Sequence, residues 1–140
     1  MHPHGSTTRH AAATVVGVSL IGKLFGDRPA VTPTHIDTRQ QFVEQVLQSE
    51  LPVIVDVWSS TCAPCRQLMP VLVRVATKYD GRVRVVELST EAEPQLLAQL
   101  GVRATPTILV YEGGQEVGRM AGFRPEGWFD EMIATEFPDT

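Results

Sequence analysis

The sequence predicts an α/β protein in which a central, mixed β-sheet is flanked by helices on both faces. Short apolar segments typical of buried strands alternate with segments whose apolar residues recur at helical spacing. Near the end of the chain, two strands are separated only by a turn at Gly113-Gly114, which predicts an antiparallel hairpin. The 140 residues are enough for one hydrophobic core, and nothing in the sequence suggests a second domain.

Residues 1–33 are predicted to be an N-terminal extension, and residues 34–140 to form the domain. The extension begins with a polar segment whose histidines, His2, His4 and His10, are more typical of disorder than of a metal site. Residues 11–22 are apolar, but they are too few to span a membrane as a helix. Three interpretations remain open for this segment: a loose or docking extension, a targeting or membrane-anchoring segment, and a misplaced start of the chain.

The elements of the domain follow in order, beginning with a short edge strand that includes His35-Ile36. A helix is expected over 38–49, with Asp37 or Thr38 as its cap, and Leu51-Pro52 marks its end. Helical spacing predicts that its buried side consists of Phe42, Val43, Val46 and Leu47.

The central strand is predicted at 53–58, where valine, isoleucine and tryptophan surround a single aspartate. A long helix is expected from about residue 62 to residue 79, closed by Asp80-Gly81. Pro70 removes one intrahelical hydrogen bond, so we expect a kink there. The core-facing residues of this helix are predicted to be Leu68, Met69, Leu72, Val75 and Ala76.

The second half of the domain begins with a strand at 83–88 and a short helix at 94–100 that Gly101 ends. The hairpin strands are predicted at 107–111 and 116–120. Pro125 begins the last helix, whose apolar residues are Trp128, Phe129, Met132 and Ile133. Strands joined by helices, followed by a hairpin, indicate a sheet with both parallel and antiparallel pairs.

The only two cysteines of the chain lie where the central strand gives way to the long helix, in the segment Cys62-Ala63-Pro64-Cys65. A thiol at a helix N-terminus faces unpaired backbone N–H groups and the positive end of the helix dipole, and both favour the thiolate. Two intervening residues place the cysteines about one turn apart, close enough to form a small disulfide ring. No cysteine remains for a structural disulfide.

Several motifs together resemble the thioredoxin family. Its active-site block is similar to Val55-Asp-Val-Trp58 and Cys62-Ala-Pro-Cys65 with Pro70, and its cis-proline loop is similar to Gly101-Val-Arg-Ala-Thr-Pro-Thr107. Later segments, Tyr111-Glu-Gly-Gly114 and Ala121-Gly-Phe123, also resemble the family. The match extends from about Thr34 to Ile133 and implies the thioredoxin fold.

The resemblance implies that Cys62 is the nucleophile and Cys65 the resolving thiol of dithiol–disulfide exchange with target proteins. It also implies that Asp56 transfers protons to and from Cys65 through water. Inert small hydrophobic residues and half of a zinc site are less favoured interpretations of the pair, because further zinc ligands are missing nearby. Asp56 stands among apolar strand residues, so burial is expected to raise its pKa, unless it turns to solvent.

Glu87 departs from the family pattern. An ungapped match from residue 83 to residue 107 places Glu87 where thioredoxins commonly carry a lysine near the buried aspartate. If the two carboxylates share a pocket, their titrations are coupled, and Asp56 is protonated more often at neutral pH than in relatives with the lysine. The alternative is that Glu87 points to water on the other face of the strand.

The resemblance also implies a surface for binding target proteins. The Thr105–Pro106 bond is expected to be cis, which would present the Thr105 backbone to an extended segment of the target. Trp58 is expected to form a wall beside the disulfide, with a plain core tryptophan as the alternative. Gly122 is interpreted either as a site of close backbone approach or as a turn glycine. The remaining residues assigned to this surface are Thr61, Ala63 and Pro64.

The predicted function is protein disulfide reduction, with no bound cofactor or metal and with reduction by an NADPH-dependent flavoprotein, thioredoxin reductase. The net charge of −4 gives no electrostatic reason for nucleic-acid binding. We expect a cytoplasmic monomer without membrane association. Two alternatives remain: an exported or membrane-tethered oxidoreductase for cytochrome maturation or disulfide isomerisation, and a non-catalytic binding subunit with the same fold.

Overall fold

The computed structural model describes residues 29–138, in which five strands and four helices alternate. The predictions for residues 1–28, including the apolar segment 11–22, lie outside this range. The elements are β1 (Thr34–Ile36), α1 (Arg39–Phe42, continued by a π-helical segment Val43–Leu47), β2 (Val53–Trp58), α2 (Ala63–Lys78), β3 (Arg84–Ser89), α3 (Pro94–Leu100), β4 (Thr107–Glu112), β5 (Gln115–Ala121) and α4 (Glu126–Glu136).

The sheet has the strand order β1-β3-β2-β4-β5, so β2 lies at its centre. The pairs β1/β3 and β2/β3 are parallel, whereas β2/β4 and β4/β5 are antiparallel. The predicted mixed sheet is therefore confirmed. Because α2 begins just after the central strand, its first turn stands at the carboxyl end of β2, where ligand sites of α/β sheets commonly occur.

Helices cover both faces of the sheet, as the sequence predicts. On one face, α2 and α4 contribute Leu68, Leu72 and Phe129 to a core that includes Ile54 of β2. On the other face, Phe42 of α1 and the buried residues of α3 pack against the alternate β2 positions, Val53, Val55 and Val57. Since successive side chains of a strand point to opposite faces, Asp56 lies on the same face as Ile54, beneath α2.

The predicted buried side of the first helix is wrong at Leu47, whose side chain is 36% exposed. The helix becomes π-helical from Val43, and the Gln48 N–H donates to the Val43 carbonyl oxygen five residues earlier, at 2.9 Å. Because of this wider turn, Phe42 and Val46 are buried, whereas Leu47 lies beyond the buried side of the helix and is exposed to solvent. Val43 is half-buried.

Met69, a predicted core residue of the long helix, is half-buried rather than buried, and so are Trp128 and Met132, two apolar residues of the last helix. Trp128 and Met132 pack at the edge of the α2/α4 core, and Met69 faces a surface pocket. Helix α2 continues through Pro70 without a break. The residue Val31, assigned above to the extension, packs against the same core, and its N–H donates to Thr77 Oγ1 at 2.8 Å.

The hairpin turn requires glycine for two reasons. Gly113 and Gly114 both have positive φ, +60° and +81°. A two-residue turn whose twist matches the right-handed twist of the flanking strands requires such angles. A Cβ on Gly114 would also lie 2.9 Å from the carbonyl oxygen of Leu47, closer than real Cβ atoms approach. Within residues 29–138, none of the helices is long and apolar enough to cross a membrane.

Candidate active site

The site is formed where β2 ends and α2 begins. Cys62 is the N-cap of α2, with extended backbone angles (φ −105°, ψ 108°), and Ala63 is the first helical residue. Pro64 follows within the first turn, where its missing N–H has no intrahelical partner to lose. A backbone hydrogen bond also holds Cys62 at the start of the helix, because its N–H donates to the Ser59 carbonyl oxygen at 3.3 Å.

Cys62 and Cys65 form a disulfide, with their Cα atoms 5.3 Å apart. The backbone N–H of Cys65 points at Cys62 Sγ, at an N–S distance of 3.2 Å. Once the disulfide opens, this N–H and the helix dipole would stabilise negative charge on that sulfur. Cys62 is 9% exposed and Cys65 is 3% exposed, so Cys62 is the more accessible of the two.

The loop before β4 adjoins this first turn. The Thr105–Pro106 peptide bond is cis, the conformation that the resemblance implies. The hydroxyls of Thr105 and Ser59 lie 3.3 Å apart, which links the loop to the turn preceding Cys62. The Gly122 N–H donates to the Pro106 carbonyl oxygen at 2.8 Å, so the end of β5 supports the loop from its other side.

The residues assigned to target binding lie around the disulfide. Thr61, Ala63 and Pro64 are exposed. Trp58 is half-buried and lines a pocket of about 370 Å³ together with Cys65. Gly122 has a φ of +94°, and the nearest atom to a Cβ there would be Arg124 Nη1 at 3.7 Å. Backbone conformation, rather than close approach of another chain segment, therefore explains the glycine at this position.

Asp56 is the only acidic residue buried in the core of residues 29–138. Neither of its carboxylate oxygens has a hydrogen-bond partner among these residues. Burial away from water, and secondly the nearby charge of Glu87, raise the pKa of Asp56 from its ordinary value of 3.8 to about 7. The protonated and ionised forms are thus both populated near neutral pH, as an acid–base group requires.

Glu87 lies beside Asp56, because the two residues are directly paired in the parallel β2/β3 register and so share a face of the sheet. Its side chain is 16% exposed and lines the same pocket as Cys65. The alternative orientation, with Glu87 on the opposite face, is not the one observed. Glu87 Oε2 accepts a hydrogen bond from His35 Nδ1 at 2.9 Å.

His35 is a neighbour of the site that sequence reasoning missed. It pairs with Glu87 in the β1/β3 register, and its other ring nitrogen, Nε2, lies 2.9 Å from Asp37 Oδ1. The hydrogen bond to Glu87 contributes most to raising the pKa of His35 above 6.5. No group of three or more histidine, cysteine or acidic side chains within residues 29–138 is arranged to hold a metal ion.

Comparison with known proteins identifies the family. The Thioredoxin family profile matches residues 33–135. Thioredoxin 1 of Nostoc sp. is 39% identical over 96 residues, which cover 69% of this chain and 90% of that relative. Thioredoxin of Synechocystis sp. is 44% identical over 97 residues, or 69% of this chain and 89% of the relative. Thioredoxin of Chlorobaculum thiosulfatiphilum is 34% identical over 96 residues, with coverage of 69% and 89%. The chain belongs to the thioredoxin family, and its disulfide at the entrance of α2 makes it a thiol–disulfide oxidoreductase.

Proposed function

We propose that Cys62 attacks disulfides of target proteins and that Cys65 resolves the resulting intermediate. Three features of the first turn of α2 support this order: Cys62 is the helix cap, its sulfur faces a backbone N–H, and it is the more exposed cysteine. A sulfur so placed is the better nucleophile at neutral pH. The thioredoxins among the relatives support disulfide reduction over either alternative function, a role in cytochrome maturation or isomerisation and a non-catalytic binding subunit.

The exchange proceeds in two displacements. The Cys62 thiolate attacks one sulfur of the target disulfide, forms a mixed disulfide and releases the other target sulfur as a thiolate. The Cys65 thiolate then attacks Cys62 Sγ, forms the Cys62–Cys65 disulfide and releases the second target thiolate. The target gains two electrons, and the cysteine pair loses two.

We assign proton transfer for the second displacement to Asp56. Cys65 must lose its thiol proton before it attacks, and Asp56 lies beneath α2 on the sheet face that this helix covers. The pKa of Asp56 near 7, caused first by burial and then by Glu87, leaves a carboxylate available to accept that proton. The cost of burying this carboxylate without a hydrogen-bond partner supports a functional rather than a structural role.

For target recognition, we propose that an extended segment of the target lies across the exposed surface beside the disulfide. The backbone of Thr105, next to the cis bond to Pro106, would pair with this segment. Trp58 would form one wall of the surface. The residues Thr61, Ala63, Pro64 and Gly122 would complete it.

We further propose that an NADPH-dependent flavoprotein reductase returns the disulfide to the dithiol. The test is a coupled assay with the chain, insulin, NADPH and a purified bacterial thioredoxin reductase, in which NADPH oxidation is followed by absorbance. We expect NADPH oxidation to depend on both the chain and insulin, and to fall to background with Cys65→Ser, which cannot reform the disulfide. Insulin reduction with dithiothreitol but none with NADPH and the reductase would contradict this choice of electron donor.

We place the protein in the cytoplasm, because its relatives are thioredoxins of the same domain size. Fractionation of the source cells, with immunodetection in the cytoplasmic, periplasmic and membrane fractions, tests this location. Recovery mainly in the cytoplasmic fraction is the expected result. Recovery in the membrane or periplasmic fraction would instead favour the exported or membrane-tethered alternative.

A further inference from the structure

Three titratable side chains form a row across the sheet, running from its edge to its centre. In the parallel registers, His35 of β1 is paired with Glu87 of β3, and Glu87 is paired with Asp56 of β2. Directly paired residues on neighbouring strands point to the same face and lie about 4.8 Å apart. The row thus connects a half-exposed histidine at the sheet edge with the buried carboxyl group under the active-site helix.

The hydrogen bonds of His35 favour its protonated state. Nδ1 lies 2.9 Å from Glu87 Oε2, and Nε2 lies 2.9 Å from Asp37 Oδ1. Carboxylates accept hydrogen bonds, and only the imidazolium form of histidine donates from both ring nitrogens. The geometry therefore fits a positively charged His35 between two carboxylates, in agreement with a raised pKa whose first cause is the hydrogen bond to Glu87.

A charged His35 affects Glu87 in two ways. The hydrogen bond fixes the Glu87 carboxylate in one position on the wall of the pocket that also contains Cys65. The positive charge offsets part of the negative charge that Glu87 presents to Asp56. Among the described residues, Arg66 of α2 lines the same pocket as Glu87, and Asp37 lies on the far side of His35.

We propose that His35 is a positioning residue for the acid–base step, which holds Glu87 in place and thereby sets the proton affinity of Asp56. This inference rests on the proposed role of Asp56 as the proton acceptor for Cys65. When His35 is protonated, Glu87 is paired, and Asp56 ionises more readily. When His35 loses its proton as the pH rises, Glu87 repels a negative charge on Asp56 more strongly, and Asp56 holds its proton to higher pH.

The test is an NMR titration of the Asp56 side-chain carboxyl carbon in the oxidised protein, compared among the parent, Glu87→Gln and His35→Gln. Removing the negative charge of Glu87 is expected to lower the Asp56 midpoint by about half a pH unit or more. Removing the positive charge of His35 is expected to raise the midpoint by a few tenths of a pH unit, because His35 is farther away and 47% exposed. His35→Lys retains the charge, so its Asp56 midpoint is expected to return toward that of the parent.

A purely structural role for His35 would change thermal stability but leave the Asp56 midpoint at the parent value in His35→Gln, and that outcome would overturn the proposal. A double variant that combines His35→Gln with Glu87→Gln separates the effect that His35 exerts through Glu87 from a direct effect of its charge on Asp56. In the Glu87→Gln background, His35→Gln is expected to move the Asp56 midpoint less than in the parent background. An equal shift in both backgrounds would show that Glu87 does not mediate the effect, and would also overturn the proposal.

The titration is made without a target protein, so its outcome is independent of turnover. Insulin reduction by Asp56→Asn across the same pH range tests the proposed role of Asp56 itself. If the rate and its pH profile match those of the parent, the acid–base role of Asp56 fails, and the role assigned to His35 in catalysis fails with it. A shift of the Asp56 midpoint in His35→Gln would still show the electrostatic link along the row.

Discussion

Cys62→Ser is expected to reduce the rate of insulin disulfide reduction with dithiothreitol to the rate of dithiothreitol alone, a loss of at least about a hundredfold in the contribution of the protein. A serine hydroxyl at the cap of α2 would keep the hydrogen bond from the Cys65 N–H. It would not supply a thiolate, and it could not form a disulfide bond with a target. The measurement is the turbidity of precipitating insulin B chain at equal protein concentration.

Cys65→Ser is the matched control, because it also removes the disulfide and changes one sulfur to oxygen in the same helical turn. We expect this variant to keep its attacking thiol and to accumulate a mixed disulfide with insulin, visible on a non-reducing gel. Cys62→Ser should accumulate none, since Cys65 is the less exposed cysteine. If Cys62→Ser reduced insulin as fast as the parent, the cysteines would be incidental, and a binding role would have to replace the enzymatic one.

Asp56→Asn is expected to remove a pH-dependent loss of stability that the parent shows between pH 5 and pH 8. The folded-state pKa of Asp56 is raised, by burial first and Glu87 second, to about 7 from 3.8. A carboxyl group with a raised folded-state pKa favours the folded state fully below its unfolded pKa, and this contribution is lost as the pH rises through about 7. The free energy of unfolding of the parent should therefore fall, relative to the variant, by about 2 to 3 kcal/mol between pH 5 and pH 8.

Denaturant unfolding of the oxidised protein at several pH values measures this difference. Asp80→Asn provides the control, because Asp80 is an exposed aspartate at the end of α2. The unfolding free energy of the Asp80→Asn variant should follow that of the parent at every pH. Parallel curves for the parent and Asp56→Asn would mean that Asp56 is hydrated or hydrogen-bonded in solution, and that its pKa is close to the ordinary value.

The sequence is informative about this site because most of the chemistry lies in one continuous segment. The central strand, the helix cap and both cysteines fall between Val53 and Cys65, so local patterns are enough to predict their arrangement. The cis bond before Pro106 is different, since X-Pro bonds are rarely cis and only the resemblance led us to expect it. Helical periodicity correctly predicted that Phe42 and Val46 are buried in the first helix, although it could not anticipate the π-helical segment that exposes Leu47.

The contact between His35 and Glu87 could not be predicted from the sequence, because it depends on strand register. His35 and Glu87 are 52 positions apart in sequence, and their contact requires that β1 pair with β3 in parallel with one particular alignment. A shift of one residue would turn His35 to the other face of the sheet. A histidine in a three-residue edge strand carries no sign of this partner, so the row from His35 to Asp56 appears only in the folded chain.

Both cysteines of the sequence are consumed by the one disulfide. Full reduction therefore adds two hydrogen atoms to the polypeptide, and every maleimide or iodoacetamide group that it takes up reports on the same pair. Mass spectrometry of the intact, alkylated chain would consequently give the oxidised fraction of a sample directly, without peptide mapping. The mass of the alkylated chain would thus report the redox state of this protein, even in an extract whose other proteins hold many thiols.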